Sequence, residues 1–111
     1  MWVARSGHIL VCGQLIDAKA ALNAQDNDKD SALICAARSG HETVCGKLLK
    51  AKAAVDIQSS DDDTALLCAA RNGLDTVCMQ LLEKKAKVNF QDNGQNTALI
   101  WAARKNCQQS A

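Results

Sequence analysis

The sequence predicts an all-α fold built from stacked pairs of short helices. The first observation is a repeat: SALICAARSGH at residues 31–41 returns as TALLCAARNGL at 64–74 and begins again as TALIWAAR at 97–104. The period is 33 residues, since 64 − 31 and 97 − 64 both equal 33. The second observation is that apolar residues recur within each period at helical spacing. Such a period is typical of repeat arrays, in which each unit buries its apolar face on its neighbours.

The unit at residues 59–91 shows why each period predicts two helices. Thr64 can cap a first helix over 65–72, and Gly73 can end it in the left-handed conformation. Asp75 favours the start of a second helix, because acidic groups suit a helix N-terminus. The apolar stripe of that second helix consists of Val77, Cys78, Leu81 and Leu82.

These residues resemble the ankyrin repeat, whose pattern runs roughly D-x-x-G-x-T-P-L-H-x-A-A-x-x-G-H, then V-V-x-x-L-L and G-A-D-V-N. TALLCAA at residues 64–70 corresponds to the T-P-L-H-x-A-A segment, and Gly40 with His41 corresponds to the G-H pair. Val88 and Asn89 correspond to V-N. The resemblance implies an ankyrin-repeat solenoid of stacked antiparallel helix pairs with short β-hairpin-like fingers and a concave face. It implies one ankyrin-repeat domain over 1–111, divided into a partial repeat at 1–25, repeats at 26–58 and 59–91, and a partial repeat at 92–111.

The chain departs from the family pattern at positions that normally hold proline or glycine. It contains no proline, and alanine takes the first-turn proline position at Ala32, Ala65 and Ala98. Glycine is replaced after the second helices by Lys19, Lys52 and Lys85, and in the fingers by Lys29, Asp62 and Gln95. Where such a residue must take the left-handed conformation, we expect a cost of roughly 1 kcal/mol. With incomplete first and last repeats, the isolated chain is expected to be marginally stable, as a fragment of a longer array or a chain that pairs through its ends.

Composition argues against nucleic acid and membrane as partners. The net charge is +1 and the pI is about 7.6, so the chain as a whole has no strong attraction for polyanions. No apolar run reaches the roughly 20 residues that a bilayer-spanning helix needs, and the N-terminus lacks a signal-peptide layout. We therefore expect a cytoplasmic, reducing location.

Five of the six cysteines are expected to be buried, reduced thiols. Most of them recur at fixed repeat positions inside apolar segments, where cysteine serves as a small hydrophobe. No C-x-x-C pair is present, and neither histidine has zinc-type spacing to a thiol. A metal or disulfide role is the alternative. Cys107, near a polar tail, is the cysteine most expected to be exposed.

No motif predicts catalysis or a cofactor. The segment DNDKD at residues 26–30 imitates a calcium loop, but Ser31 and Ala37 occupy the places where an EF-hand needs glycine and glutamate. No serine or cysteine has an evident histidine–carboxylate pair to activate it, and no glycine-rich phosphate loop is present. The sequence therefore predicts a non-enzymatic chain without cofactor or metal.

The candidate contact surface follows from the resemblance, which places finger tips and first-helix ends toward the concave groove. Arginine recurs there at Arg5, Arg38, Arg71 and Arg104, and glutamine at Gln25, Gln58 and Gln91. The predicted protein-binding residues are Asn27, Asp28, Asp30, Ser60, Asp61 and Asp63 on the fingers, and Arg38, Ser39, Arg71, Asn72, Arg104 and Lys105 on the helix ends. A compatible interpretation is that the arginines cap helix dipoles and pair with neighbouring aspartates.

The predicted function is a protein–protein interaction module that binds a partner protein along its groove. The alternatives are a structural segment of a longer array and a chain that self-associates weakly through its uncapped ends. Trp2 and Trp101 either pack at those ends or provide exposed anchors. Asn23 and Asn89 either hold the backbone of a turn or, as the resemblance implies for this position, are sometimes hydroxylated.

Overall fold

The computed structural model describes residues 9–18 and 21–109, without the side chains of residue 9 and residues 106–109. Predictions for Trp2, Arg5, His8, Lys19 and the Cys107 side chain lie outside the described residues. The described part contains helices and turns but no β-strand. The helices are α1 (Ile9–Asp17), α2 (Ala32–Arg38), α3 (Glu42–Lys50), α4 (Ala65–Arg71), α5 (Asp75–Glu83) and α6 (Ala98–Gln109).

Hydroxyl side chains begin the first helix of each unit. Ser31 Oγ accepts a hydrogen bond from the Ile34 amide at 3.3 Å. Thr64 Oγ1 accepts one from the Leu67 amide at 3.2 Å. Each hydroxyl satisfies an amide that has no partner within its helix. The cap predicted at Thr64 is confirmed, and α4 ends one residue earlier than predicted.

Left-handed residues end both helices of a unit. Gly40 and Gly73 follow the first helices with φ values of 78° and 69°. Lys52 and Lys85 follow the second helices with φ values of 72° and 64°. These two lysines therefore take the left-handed conformation for which the sequence predicts a cost in stability.

Helices of the same kind pack on one another along the chain. The first helices α2, α4 and α6 contact in series, as do the second helices α1, α3 and α5, and α2·α3 and α4·α5 pack as pairs. Alanines at the first-helix contacts, such as Ala36 and Ala69, are fully buried and permit close approach of the backbones. The largest fully buried apolar side chains are Leu33, Ile34, Val44, Leu67, Val77 and Leu81.

The predicted apolar stripe of α5 is buried only in part. Val77 and Leu81 are fully buried, as predicted, but Cys78 is half-buried and Leu82 is 50% exposed. The corresponding residues of α3, Cys45 and Leu49, are buried, and α5 packs against α3. Leu82 is exposed because no described helix covers the same face of α5.

The fingers are tight turns closed by backbone and side-chain hydrogen bonds. In the first finger, the Lys29 amide donates to Asp26 O at 2.9 Å and the Asp26 amide donates to Asp30 O at 3.0 Å. Asp26 Oδ1 also accepts from the amides of Asp28 and Asp30. The same pattern recurs in the next two fingers, around Ser59 and Asp92. Each finger contains one left-handed residue that is not glycine: Lys29, Asp62 or Gln95.

Candidate functional site

Buried aspartates at the finger bases hold the arginines at the first-helix ends. Arg38 Nη1 and Nη2 donate to the two carboxylate oxygens of Asp30 at 2.7 and 3.0 Å. Arg71 repeats this two-point contact on Asp63 at 3.2 and 2.7 Å. Such paired, charge-assisted bonds fix the orientation of both groups. These hydrogen bonds raise the pKa of both guanidinium groups more than burial lowers it.

Each arginine also reaches the aspartate of the following unit. Arg38 Nη2 lies 3.8 Å from Asp63 Oδ2, and Arg71 Nη2 lies 3.2 Å from Asp92 Oδ2. We call this series of residues the Asp–Arg ladder; it comprises Asp30, Arg38, Asp63, Arg71 and Asp92. The alternating charges join three consecutive fingers to the helix ends between them.

Trp101 continues the ladder at its C-terminal end. Its Nε1 donates to Asp92 Oδ2 at 2.8 Å. The guanidinium groups of Arg71 and Arg104 both lie over its ring, with their Cζ atoms 5.0 and 4.9 Å from the ring centroid. Cation–π contacts of this kind favour packing of the ring over its exposure. The geometry agrees with the end-packing interpretation of Trp101.

Asp92 is the carboxylate on which these contacts converge. Burial raises the pKa of the Asp92 carboxyl, but hydrogen bonds from Asn96, Trp101, Gly94 and Arg71 outweigh that effect and hold the pKa below its usual value. The group therefore remains a charged acceptor.

The recurring glutamines stabilise the fingers from within. Gln25 Nε2 donates to Lys29 O at 2.7 Å. Gln58 Nε2 donates to Asp62 O, and Gln91 Nε2 to Gln95 O, both at 3.1 Å. In each finger the accepting carbonyl belongs to the left-handed residue. These glutamine side chains thus hold a backbone conformation that L-residues otherwise disfavour.

Further hydrogen bonds join neighbouring units near the predicted contact surface. The Ser60 amide donates to Asp28 O at 2.9 Å, which connects two finger tips. Asn72 Nδ2 donates to the carbonyls of Ala37 and Arg38 at 2.9 and 2.8 Å. Asn72 thereby satisfies carbonyls at the end of the preceding first helix.

Asn23 and its counterpart Asp56 connect the turns that follow the second helices. Asn23 Oδ1 accepts from the Ala54 amide at 2.7 Å, and Asp56 Oδ1 accepts from the Lys87 amide at 2.9 Å. The contact of Asn23 agrees with the prediction that it holds turn backbone. Asn89 occupies the same repeat position and is exposed.

The predicted contact residues fall into three groups by exposure. Seven are exposed: Asn27, Asp28, Ser39, Ser60, Asp61, Asn72 and Arg104. Three are half-buried: Arg38, Arg71 and Lys105. Two are buried: Asp30 and Asp63. The ladder brings both buried aspartates together with the half-buried arginines, whereas the exposed finger residues project beyond it.

Sequence reasoning anticipated that the arginines would pair with aspartates but not that the ladder would be continuous. The signal for pairing within a unit is a recurring separation of eight residues, from Asp30 to Arg38 and from Asp63 to Arg71. The role of the glutamines inside the fingers was also missed. Its signal is the equally regular separation of four residues between each glutamine and its left-handed partner.

One group of potential metal ligands occurs in the part of the chain that the structure describes. Ligand atoms of Asp26, Asp30 and Cys35 lie within 4.8 Å of one another. Both aspartates already serve the fold, since Asp26 accepts two backbone amides and Asp30 binds Arg38. The arrangement is accounted for by the finger and the ladder.

The described cysteines form no disulfide with one another, and Cys12, Cys35, Cys45 and Cys68 are buried. Burial raises the pKa of Cys45 to about 12 and that of Cys68 to about 11. Both thiols are therefore protonated at neutral pH, and a protonated thiol is a poor nucleophile and metal ligand.

An apolar face lies at the C-terminal end of the described array. It contains a cleft of about 640 Å³ between α5 and α6. Prominent residues in its lining are Cys78, Met79, Leu82, Leu99, Ala102 and Ala103. Leu99 is 76% exposed and Met79 is 63% exposed. In the described ranges, no helix has both the length and the apolar character required to cross a membrane.

Comparison with known proteins agrees with this architecture. A family model described as ankyrin repeats (3 copies) matches residues 1–92 and 42–111. No curated protein matches the chain. Because the two matched ranges together include every residue, the chain belongs to the ankyrin repeat family.

Proposed function

We propose that the chain binds a partner protein along the concave groove of a short solenoid, through its exposed finger tips and first-helix ends. Ankyrin repeats are in general protein–protein interaction modules, and the family is typically non-enzymatic. In this proposal residues 1–111 act as one ankyrin-repeat domain in the cytoplasm. The fingers have the hairpin-like role that the family resemblance implies.

The Asp–Arg ladder is the observation that carries the proposal. It ties three successive fingers to the helix ends, and the Ser60–Asp28 backbone bond ties two tips directly. Ordering loops at an interface costs free energy when a complex forms. A surface whose tips are already fixed avoids much of that cost, which supports recognition over a purely structural role.

In this proposal the exposed aspartates and the buried aspartates have different roles. Asp28 and Asp61 are exposed at finger tips and would contact the partner directly. Asp30 and Asp63 are buried, so we assign them the positioning of Arg38 and Arg71. The half-buried arginines can then offer their remaining donors to a partner.

Charge reversal at two finger tips tests the proposal. Asp28→Lys with Asp61→Lys changes exposed side chains and leaves the ladder intact. Reversing the charges of Arg38 and Arg71 would be a poorer test, because the buried carboxylates of Asp30 and Asp63 would lose their counterions and the fold would be destabilised. A matched control is Asp17→Lys with Glu83→Lys, which makes the same charge change at exposed positions of second helices.

The measurement is affinity capture from cell extract with quantitative mass spectrometry, with circular dichroism to verify folding. We expect proteins that the wild type and the control variant retain to be lost from the finger-tip variant. An unchanged set of captured proteins would contradict groove recognition and would favour the structural-segment alternative.

Self-association through the apolar face of α5 and α6 is a second candidate. Leu82 and Leu99 are exposed there, whereas Leu49, the counterpart of Leu82, is buried where α3 contacts α5. A second copy of the chain could cover this face as α5 covers α3. Sedimentation velocity should then show a mass that rises with concentration, and Leu82→Glu with Leu99→Glu should abolish the rise. A strict monomer at high concentration would exclude this candidate.

A further inference from the structure

Lys52 and Lys85 each follow a helix C-terminus at a position where the left-handed backbone conformation favours glycine. At the end of α3, the Lys52 amide donates to Leu49 O and the Ala53 amide donates to Leu48 O, both at 3.0 Å. At the end of α5, Lys85 and Ala86 make the corresponding bonds to Leu82 and Leu81. This pair of bonds defines a Schellman motif, whose left-handed residue is usually glycine.

The first helices end in the same motif but use glycine. Gly73 has a φ of 69°, close to the 64° of Lys85, and the Leu74 amide donates to Ala69 O as Ala86 does to Leu81 O. A side chain in this conformation costs roughly 1 kcal/mol. A cation at an exposed helix C-terminus recovers only about 0.3–1 kcal/mol. Local energetics therefore give no clear reason to prefer lysine.

Among the left-handed positions that do not hold glycine, the identity of the residue is constant only after the second helices. The left-handed finger positions hold three different residues, Lys29, Asp62 and Gln95. The positions after the second helices hold lysine each time, at Lys19 by sequence and at Lys52 and Lys85 by structure. A strained residue with a constant side chain suggests a function for that side chain.

These lysines belong to a basic surface that we call the lysine ridge. It consists of Lys50, Lys52, Lys84, Lys85 and Lys87, all exposed. Lys50 and Lys84 line one cleft of about 270 Å³, which places the basic ends of α3 and α5 side by side. The ion pairs found among the described residues involve only Arg38 and Arg71, so the ridge keeps its charge for an external partner.

We infer that the lysine ridge is a second interaction surface, distinct from the proposed groove, and that it binds an extended acidic segment of a protein. Neighbouring helices lie about 8–10 Å apart, and a segment in the extended polyproline II conformation advances about 9 Å in three residues, which make one full turn and return the side chain to the same face. An acidic residue at every third position of such a segment therefore matches the separation expected between Lys52 and Lys85, which follow the neighbouring helices α3 and α5.

Features of the ridge favour an acidic peptide over nucleic acid or an anionic membrane. No aromatic residue lines the cleft that Lys50 and Lys84 share, so bases would lack a stacking platform there. Glu83 is exposed next to Lys84 and interrupts the positive charge that a phosphate backbone or lipid surface would meet. A peptide can place a neutral residue opposite that glutamate.

The test uses a fluorescently labelled peptide with glutamate at every third position, measured by anisotropy with the whole chain at low salt. Lys52→Gly and Lys85→Gly should each weaken binding roughly two- to fivefold, and together about tenfold. Lys29→Gly is the matched control, since it removes one positive charge and relieves the same left-handed strain in a finger. Lys29→Gly should leave peptide binding unchanged. The three single variants should all melt at a higher temperature than the wild type.

Equal weakening by Lys29→Gly and Lys52→Gly would overturn the inference, because net charge alone would then explain binding. Unchanged binding in the double variant would overturn it as well. Tighter binding of oligothymidine or of phosphatidylserine vesicles than of the peptide would overturn the assigned partner class. None of these results depends on the finger-tip variants, so the groove proposal stands or fails separately.

Discussion

Asp30 and Arg38 form an ion pair whose two members differ in their access to water. The Asp30 side chain is 2% exposed, whereas that of Arg38 is 35% exposed. A buried carboxylate depends on its counterion, because an uncompensated charge away from water is costly. The arginine can instead turn outward and be solvated.

This difference predicts unequal effects of removing either partner. Arg38→Ala should lower the free energy of unfolding by about 3–5 kcal/mol, because it leaves the Asp30 charge buried. Asp30→Asn should lower it by only about 1–2 kcal/mol, because Arg38 retains access to solvent. Urea denaturation measures both. Arg104→Gln is the control, since Arg104 is exposed and contacts Asn96, at 3.4 Å, and the Trp101 ring, neither of which is a buried carboxylate; equal losses for Arg38→Ala and Asp30→Asn would contradict the argument.

The second finger offers a paired test of left-handed strain at adjacent aspartates. Asp62 has a φ of 64°, so Asp62→Gly should raise the free energy of unfolding by roughly 1 kcal/mol. Asp61 does not have a positive φ, and Asp61→Gly should be destabilising, because glycine gains freedom in the unfolded chain. Thermal and urea unfolding of the two variants gives the comparison. Shifts of the same sign would show that strain at Asp62 is not the cause.

Loss of the Thr64 cap should destabilise the third unit. Thr64→Val keeps the shape of the side chain but removes the Oγ1 acceptor of the Leu67 amide. We expect a loss of about 1 kcal/mol in the free energy of unfolding. Thr76→Val replaces an exposed threonine inside α5 and should change it by less than about 0.5 kcal/mol. A similar loss in both variants would argue against the cap as the source.

The buried thiols predict a loss of stability at alkaline pH. Burial raises the pKa of Cys45 from 9.0 to about 12, so the folded state keeps a proton that the unfolded state releases. Stability from this group is complete below pH 9 and falls as pH rises from there toward the folded value. The slope for one thiol is about 1.4 kcal/mol per pH unit. Cys45→Ala should start from lower stability but lose less of it between pH 9 and 11 in urea titrations; an identical pH dependence would refute the assignment.

Most of the helix pairs could be predicted from the sequence alone, because the spacing of apolar residues and the helix caps are local features of the chain. Thr64, Gly73 and Asp75 indicated the ends of α4 and the start of α5 to within one residue. Burial at Leu82 was not predicted correctly, since it depends on whether another helix lies beyond α5. That is a property of the array and not of the local pattern.

The candidate surface was predictable as a set of positions but not as a set of contacts. Aligned arginines and aspartates are visible in the repeat, yet sharing of Asp63 between Arg38 and Arg71 depends on how two units stack. Asn72 likewise bonds carbonyls of the preceding unit, which are 34 and 35 residues away. Such contacts depend on how closely neighbouring units stack, and the sequence of one unit does not specify that distance.

Sharing of Asp63 between two arginines has an evolutionary consequence. Because Arg38 and Arg71 each meet one carboxylate from their own period and one from the next, excision or duplication of a whole period rejoins equivalent partners at the new junction. Changes in array length by entire periods would leave the charge pattern unbroken, whereas any other insertion would shift it out of register. The ion pairs thus favour growth and shrinkage of the gene in whole modules.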